Sequence, residues 1–358
     1  MPEYHQKMWQ INQLFILLAT MFMVLTVLKF ASGIFVPFLI SIAIAILLSP
    51  VFNYLERRHI PKALSLLFVT LLALSGFIIL GGYISQEVTD FIRNLSSIQA
   101  RVDSWLDQIS GSAENYGLHL THNDFEEVLN RSNLVLLVKN LVAQTKNQFS
   151  NIFLIFFTVA FMLMESTSLY NKLIKVMERR GSSVTEWMKI IDKIKDYFLI
   201  KVKTSLLTGV LALLILWFYN VHYAVLWASL VFFFNFIPVI GSILAAIPAI
   251  IMAGIDHGAM TAGWVALGYL SVNLLVGNIL EPRIMGRGLG LSALTIFLSM
   301  TFWGWMFGPA GMILSVPLTM GMQFLFDQYE ETQWIAFMLS DYEGEGRREE
   351  APEEEASV

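Results

Sequence analysis

The chain predicts an all-α fold of the polytopic membrane class, with broken or re-entrant helices in its second half and an extramembrane helical segment. Three observations predict it. Of its 358 residues 56% are apolar and 14% charged, against roughly 45–50% and about 25% in soluble domains. Seven stretches, 14–28, 30–52, 63–86, 149–164, 205–253, 259–280 and 289–326, hold 187 residues without one Asp, Glu, Lys or Arg, and about 20 apolar residues suffice to cross a hydrocarbon core of about 30 Å. Runs such as 40–48 are apolar on every side, whereas barrel strands alternate apolar with polar over segments of about ten residues. The chain has no cysteine, which excludes disulfides, thiolate metal sites and cysteine nucleophiles.

The first two stretches predict a helical hairpin that turns near Lys29. After them, Glu56-Arg57-Arg58-His59-Ile60-Pro61-Lys62 carries three cations against one anion, the composition of a cytoplasmic loop, so the N-terminus belongs inside as well. Residues 1–86 are thus N-terminal transmembrane helices. The third span exits into residues 87–148, an external amphipathic helical segment in which Ile84, Val88, Phe91, Ile92, Leu95, Ile98, Val102, Trp105, Leu106 and Ile109 recur at three and four. That stripe calls for packing on neighbouring helices, with a gate or an oligomer contact as the sharper alternative. Residues 149–203 combine a span with a cytoplasmic stretch in which Trp187, Ile190, Ile191, Ile194 and Phe198 make one apolar face. The interspersed Lys189, Lys193 and Lys195 predict an interfacial helix at the inner leaflet.

Residues 204–326 form the predicted transport core. Its uncharged run 205–253 is long enough for two crossings and is broken by Pro238, Gly241 and Pro248; the run 289–326 is broken by Gly304, Gly308, Pro309, Gly311 and Pro317. In lipid a freed backbone group is tolerated only where protein or a watery cavity satisfies it, and paired Gly/Pro-interrupted segments point to a transporter's binding site. If residues 222–253 turn back as a hairpin, the basic loop Glu281-Pro282-Arg283-Ile284-Met285-Gly286-Arg287 lies inside, as its charge prefers. Residues 327–358 are a cytoplasmic acidic tail, with eight acids and two arginines from Asp341 onward, the pattern of a solubilising end.

Between the breaks stand Asn235, Asn273, Asn278 and Glu281. An ionisable residue at the edge of a span is a functional candidate, and Glu281 can bind a cation, exchange a proton or simply pair with Arg283 or Arg287. The asparagines can cross-link helices or hold a solute. Glu165, at the end of the fourth span, is a boundary charge or a lining residue. His119 and His122 lack further metal ligands, and Gly286-Arg287-Gly288-Leu289-Gly290 lacks the strand that precedes a phosphate-cradling loop. No enzyme activity, cofactor, metal or nucleic-acid partner is expected.

The stretches Asn235-Phe236-Ile237-Pro238-Val239-Ile240-Gly241, Gly277-Asn278-Ile279-Leu280-Glu281-Pro282-Arg283, Phe302-Trp303-Gly304-Trp305 and Gly308-Pro309-Ala310-Gly311 resemble the autoinducer-2 exporter family of PerM-like transporters. The resemblance implies a multi-pass protein of the bacterial inner membrane, with both termini cytoplasmic, that exports the quorum-sensing signal autoinducer-2 or a similar small hydrophilic molecule. It also implies a homo-oligomer, with a pentamer as the expectation, and leaves sodium/proton antiport as the alternative within the family. A channel or scaffold is the alternative outside it. On the carrier reading, Asn235, Pro238, Gly241, Asn278, Glu281, Pro309 and Gly311 form the substrate pathway, with Glu281 and Glu165 as coupling candidates. Alternating access is the expected mechanism, with half-helix ends supplying dipoles and free backbone groups.

Overall fold

A computed structural model describes residues 15–16, 19–94, 97–98, 101, 152–166, 168, 172, 174–176, 184–238, 240–285 and 290–341. Among them every regular element is helical, and five helices are long and apolar enough to cross a membrane. The greater part of the external segment, the acidic tail from residue 342, both of His119 and His122, and residues 286–289 lie outside the described residues.

Helices α1 (Ala19–Phe30) and α2 (Ser32–Arg57) do not form the expected hairpin. The backbone carries straight through the interruption: Ala31 N–H donates to the Val27 carbonyl at 2.9 Å and Phe35 N–H to the Ala31 carbonyl at 3.1 Å. Residues 27–32 contain neither Gly nor Pro, so nothing there breaks a helix, and the hairpin from which an inside N-terminus followed is absent. The real reversal comes at His59, with a positive φ of 62°. There His59 N–H reaches the Glu56 carbonyl and Ile60 N–H the Leu55 carbonyl, the paired bonds that close a helix end through a left-handed residue. Within α2, Pro50 frees the Ile46 carbonyl and Ser49 Oγ donates to it at 2.8 Å, which removes an orphan acceptor from the membrane interior.

Helix α3 (Lys62–Arg93) and α4 (Ile152–Ser166) pack on α2 through Phe52, Val69, Ile155, Val159 and Leu163. The second half is organised around α5 (Val184–Phe218), about 52 Å long at 1.5 Å per residue. The interfacial helix expected at 187–198 is therefore the first part of this continuous rod. Its apolar face finds protein in place of lipid: Trp187 meets Phe324 edge to face at 4.7 Å, and Ile190, Ile194 and Phe198 join Leu314, Val316 and Met320 in one cluster.

Two helical hairpins flank α5. The first comprises α6 (Ala224–Phe234) and α7 (Gly241–His257). Its open ends meet, because Asp256 accepts from the His222 N–H at 2.9 Å and the His257 ring lies 3.0 Å from the Asn220 carbonyl. The chain continues through α8 (Ala259–Asn273), a π-helical stretch Leu274–Leu280 and α9 (Glu281–Met285). The second hairpin is α10 (Ala293–Asp327), which folds back at Gly308, where φ is 66° and ψ is −150°. Ser299 Oγ donates to the Ser315 carbonyl at 3.1 Å and Trp303 Nε1 to Thr319 Oγ1 at 3.0 Å, whereas residues 16 apart on a straight helix stand about 24 Å apart. A short α11 (Gln333–Leu339) closes the base, and the Leu339 carbonyl accepts from Ser292 N–H.

The hairpins open at opposite ends of α5. Trp187, near the start of α5, touches Phe324 at the base of the second hairpin, while Leu216, near its end, packs with Ala224, Met252 and Ala253 at the base of the first. The first base also holds Asn94, whose Nδ2 donates to Tyr223 OH at 3.1 Å, and Arg101, 3.0 Å from Asp256.

Candidate functional site

Lys201, Thr204, Ser205 and Thr208 recur at three and four along α5 and so share one helical face. All four are buried. A polar stripe inside an apolar helix needs partners: Thr204 and Thr208 donate to the Lys201 and Thr204 carbonyls of α5 itself, and Lys201 and Ser205 find theirs on other elements. Lys201 Nζ donates to Glu281 Oε1 at 2.7 Å, with side chains only 11% and 15% exposed. One turn on, Asn235 Nδ2 donates to Ser205 Oγ at 2.9 Å. Thr208 then lines a cavity of about 10 Å³ together with Ser242, Tyr269 and Asn273.

Sequence reasoning offered Arg283 or Arg287 as the partner of Glu281; the partner is Lys201, and Arg283 is exposed. The ion pair joins the first residue of α9, directly after the π-helical stretch, to the middle of α5, so it crosses between elements and does not merely seal a loop. Burying two charges costs several kcal/mol per ion unless each compensates the other. The pair is thus neutral as a unit, and separating it obliges each group to find another partner or change its protonation.

The apices of the two hairpins are built alike. A Cβ on Gly241 would stand 1.8 Å from the Phe234 carbonyl oxygen, and one on Gly311 would stand 1.9 Å from that of Trp303. In both, only glycine lets the returning arm close on the carbonyl that ends the first arm. Pro238 occupies the turn between α6 and α7, half-buried; Pro309 follows the Gly308 kink and is exposed, while Gly311 is buried. Helix α6, with 11 residues, extends only about 16 Å. It is too short to cross a hydrocarbon core of about 30 Å and ends at Asn235, whose side chain meets α5.

The remaining candidates fall elsewhere. Asn278 is exposed on the π-helical stretch. Glu165 is half exposed at the end of α4 and binds Lys172 at 2.9 Å. Conversely, Lys201, Ser205, Thr208, Ser242 and Tyr269 were not singled out from sequence. The spacing of Lys201, Thr204, Ser205 and Thr208 is a usable signal, masked because Lys201 follows Lys189, Lys193 and Lys195 in one basic stretch.

The chain matches the model of the AI-2E family transporters over residues 15–331. It is 36% identical over 326 residues to the AI-2 transport protein TqsA of Escherichia coli, covering 91% of this chain and 95% of that one. A Haemophilus influenzae protein whose name suggests transport and gives no substrate is 35% identical over 332 residues, covering 91% and 95%. YhhT of Escherichia coli, named in the same way, is 29% identical over 302 residues, covering 84% and 86%.

Proposed function

The chain belongs to the AI-2E transporter family, and from that premise we propose that it exports autoinducer-2, or a similar small hydrophilic solute, across the bacterial inner membrane by alternating access. The observation that carries this reading is the buried Lys201–Glu281 pair on the polar stripe of α5, reached by the apex of one of two oppositely opening hairpins. Oppositely oriented broken helices around a mid-membrane polar site are the architecture in which one repeat rocks against another. Asn235 and Ser205 supply neutral hydrogen-bonding groups for a hydroxylated solute, with Pro238 and Gly241 setting the apex that carries Asn235. Pro309 and Gly311 set the opposing apex, Asn278 is exposed on the π-helical stretch, and a homo-oligomer, with a pentamer as our expectation, completes the reading.

Glu281 is the coupling group and Lys201 its resident counter-charge. When a proton neutralises Glu281, the pair loses its attraction and α5 is released from the π-helical stretch. Glu165 has a surface partner of its own, which favours Glu281 over it for coupling. The basic turn at 56–62 and the lysines Lys189, Lys193 and Lys195 in the first part of α5 favour the cytoplasmic face for the base of the second hairpin and for the chain's end.

Labelled autoinducer-2 offered to inside-out vesicles containing the purified protein tests the proposal. Saturable uptake that responds to an imposed proton gradient is expected. Absence of uptake would sink it, and sodium-dependent proton flux in the same vesicles would move the protein to the antiport alternative.

A further inference from the structure

Tyr269 on α8 is only 7% exposed, and its hydroxyl has no hydrogen-bond partner among the described residues. A phenolic O–H left unpaired in an apolar interior costs about as much as a lost hydrogen bond, so the hydroxyl calls for a partner that comes and goes. The small cavity that the Tyr269 residue lines is the place for one. Thr208 of α5, whose hydroxyl donates to the Thr204 carbonyl and keeps its acceptor side, Ser242 of α7 and Asn273 of α8 supply the other polar groups, among apolar walls from Ala212, Val231 and Val272.

We infer that this cavity is a hydroxyl-binding subsite for the transported solute and that Tyr269 is its specificity-determining residue. The inference rests on the transport reading above and adds the part of the solute that is recognised. Each polar wall is neutral, and hydroxyl and carboxamide groups both donate and accept. That set complements an alcohol, which does the same, and offers no fixed charge to an anion or a divalent cation. At about 10 Å³ the space admits one oxygen-sized group, so the rest of the solute extends from it. The direction is toward Asn235, because Thr208 stands one turn from Ser205, the partner of Asn235. Ser242 lies in the first turn of α7, next to the Gly241 closure. Movement of the first hairpin therefore remakes the cavity, and an occupied subsite holds that hairpin in place.

The test compares the purified wild-type protein with Tyr269→Phe in detergent, each heated with equal concentrations of glycerol, erythritol, ribose or autoinducer-2. Bound ligand raises Tm through mass action, whereas general exclusion of polyols from the surface raises both proteins alike. The expected result is that at least one compound stabilises the wild type more than the variant. In vesicles, Tyr269→Phe should then raise the KM of that compound by about three- to tenfold with kcat kept, the loss of one neutral hydrogen bond. Equal Tm shifts across the panel, with Tyr269→Phe more stable than the wild type without ligand, would mean an idle hydroxyl or a water and would overturn the inference. Failure of autoinducer-2 uptake beside a positive panel result would sink the substrate assignment and keep the subsite; normal uptake beside equal Tm shifts would do the reverse.

Discussion

The exchange at stake in a single residue is clearest at Glu281. Replacing it with Gln removes one charge from a pair that is nearly nine-tenths buried and leaves the Lys201 ammonium facing a neutral amide. Breaking a buried pair from one side typically costs about 3–5 kcal/mol, whereas replacing both members is close to neutral. Glu281→Gln should therefore lower Tm markedly, and the double variant Lys201→Met with Glu281→Gln should recover most of it. Neither should retain transport that responds to pH. A Glu281→Gln protein whose uptake keeps the wild-type pH profile would remove the carboxylate from coupling and leave it a structural tie. Asn235→Leu tests the next contact along the stripe. It keeps the branched heavy-atom skeleton but removes the bond and leaves the buried Ser205 hydroxyl without its donor, so it should cost about 1–3 kcal/mol in stability and a much larger share of uptake. A Tm loss with unchanged uptake kinetics would mark Asn235 as a helix cross-link only.

At the scale of elements, the hairpin closures make the most specific demands on sequence. Gly241→Ala and Gly311→Ala each place a carbon inside the contact distance of a backbone carbonyl, which no side-chain rotation relieves, so each hairpin must open. Gly263→Ala on α8 meets nothing within 4 Å and should be neutral or stabilising, by up to about 1 kcal/mol of helix propensity. Thermal unfolding of the three variants reads the difference, and equal Tm values would refute close packing at the apices. These breaks were legible because Gly and Pro in an uncharged run have few physical excuses, and the hairpin at 222–253 followed from loop charge. The Lys29 turn misread the same kind of information: a charge between two apolar runs resembles a loop, yet Lys29 extends over the Trp305 ring at 3.9 Å and spares the helix a break. The Lys201–Glu281 pair was illegible for another reason. Its members are 80 residues apart, and a lysine in a basic stretch explains itself too easily by topology. Glu281 stood out because carboxylates are scarce around it; its partner became visible only when α5 and the π-helical stretch lay side by side.

For the whole molecule, the decisive property is that the two hairpins open toward opposite faces. The first has Asn220 at its base and the second has Glu330 just beyond its returning arm, and both are exposed. On the orientation proposed above, the second base is expected at the cytoplasmic face, because Lys189, Lys193 and Lys195 lie in the first part of α5, whose Trp187 touches Phe324 at that base. The first base, which holds Asn94 and Arg101, is then expected at the opposite face. Absence of native cysteine makes this directly measurable, since a single introduced thiol reports its own position against no background. In intact cells a membrane-impermeant maleimide should label Asn220→Cys, and it should label Glu330→Cys only after permeabilisation. Labelling of both from the same side would mean that the hairpins enter the membrane together. The polar stripe of α5 would then have access from one face only, and alternating exposure of the Lys201–Glu281 pair would lose its structural basis. Opposite labelling, combined with a change in reactivity at either base when solute is added, would tie hairpin movement to transport, because a rigid pore gives each thiol one fixed rate.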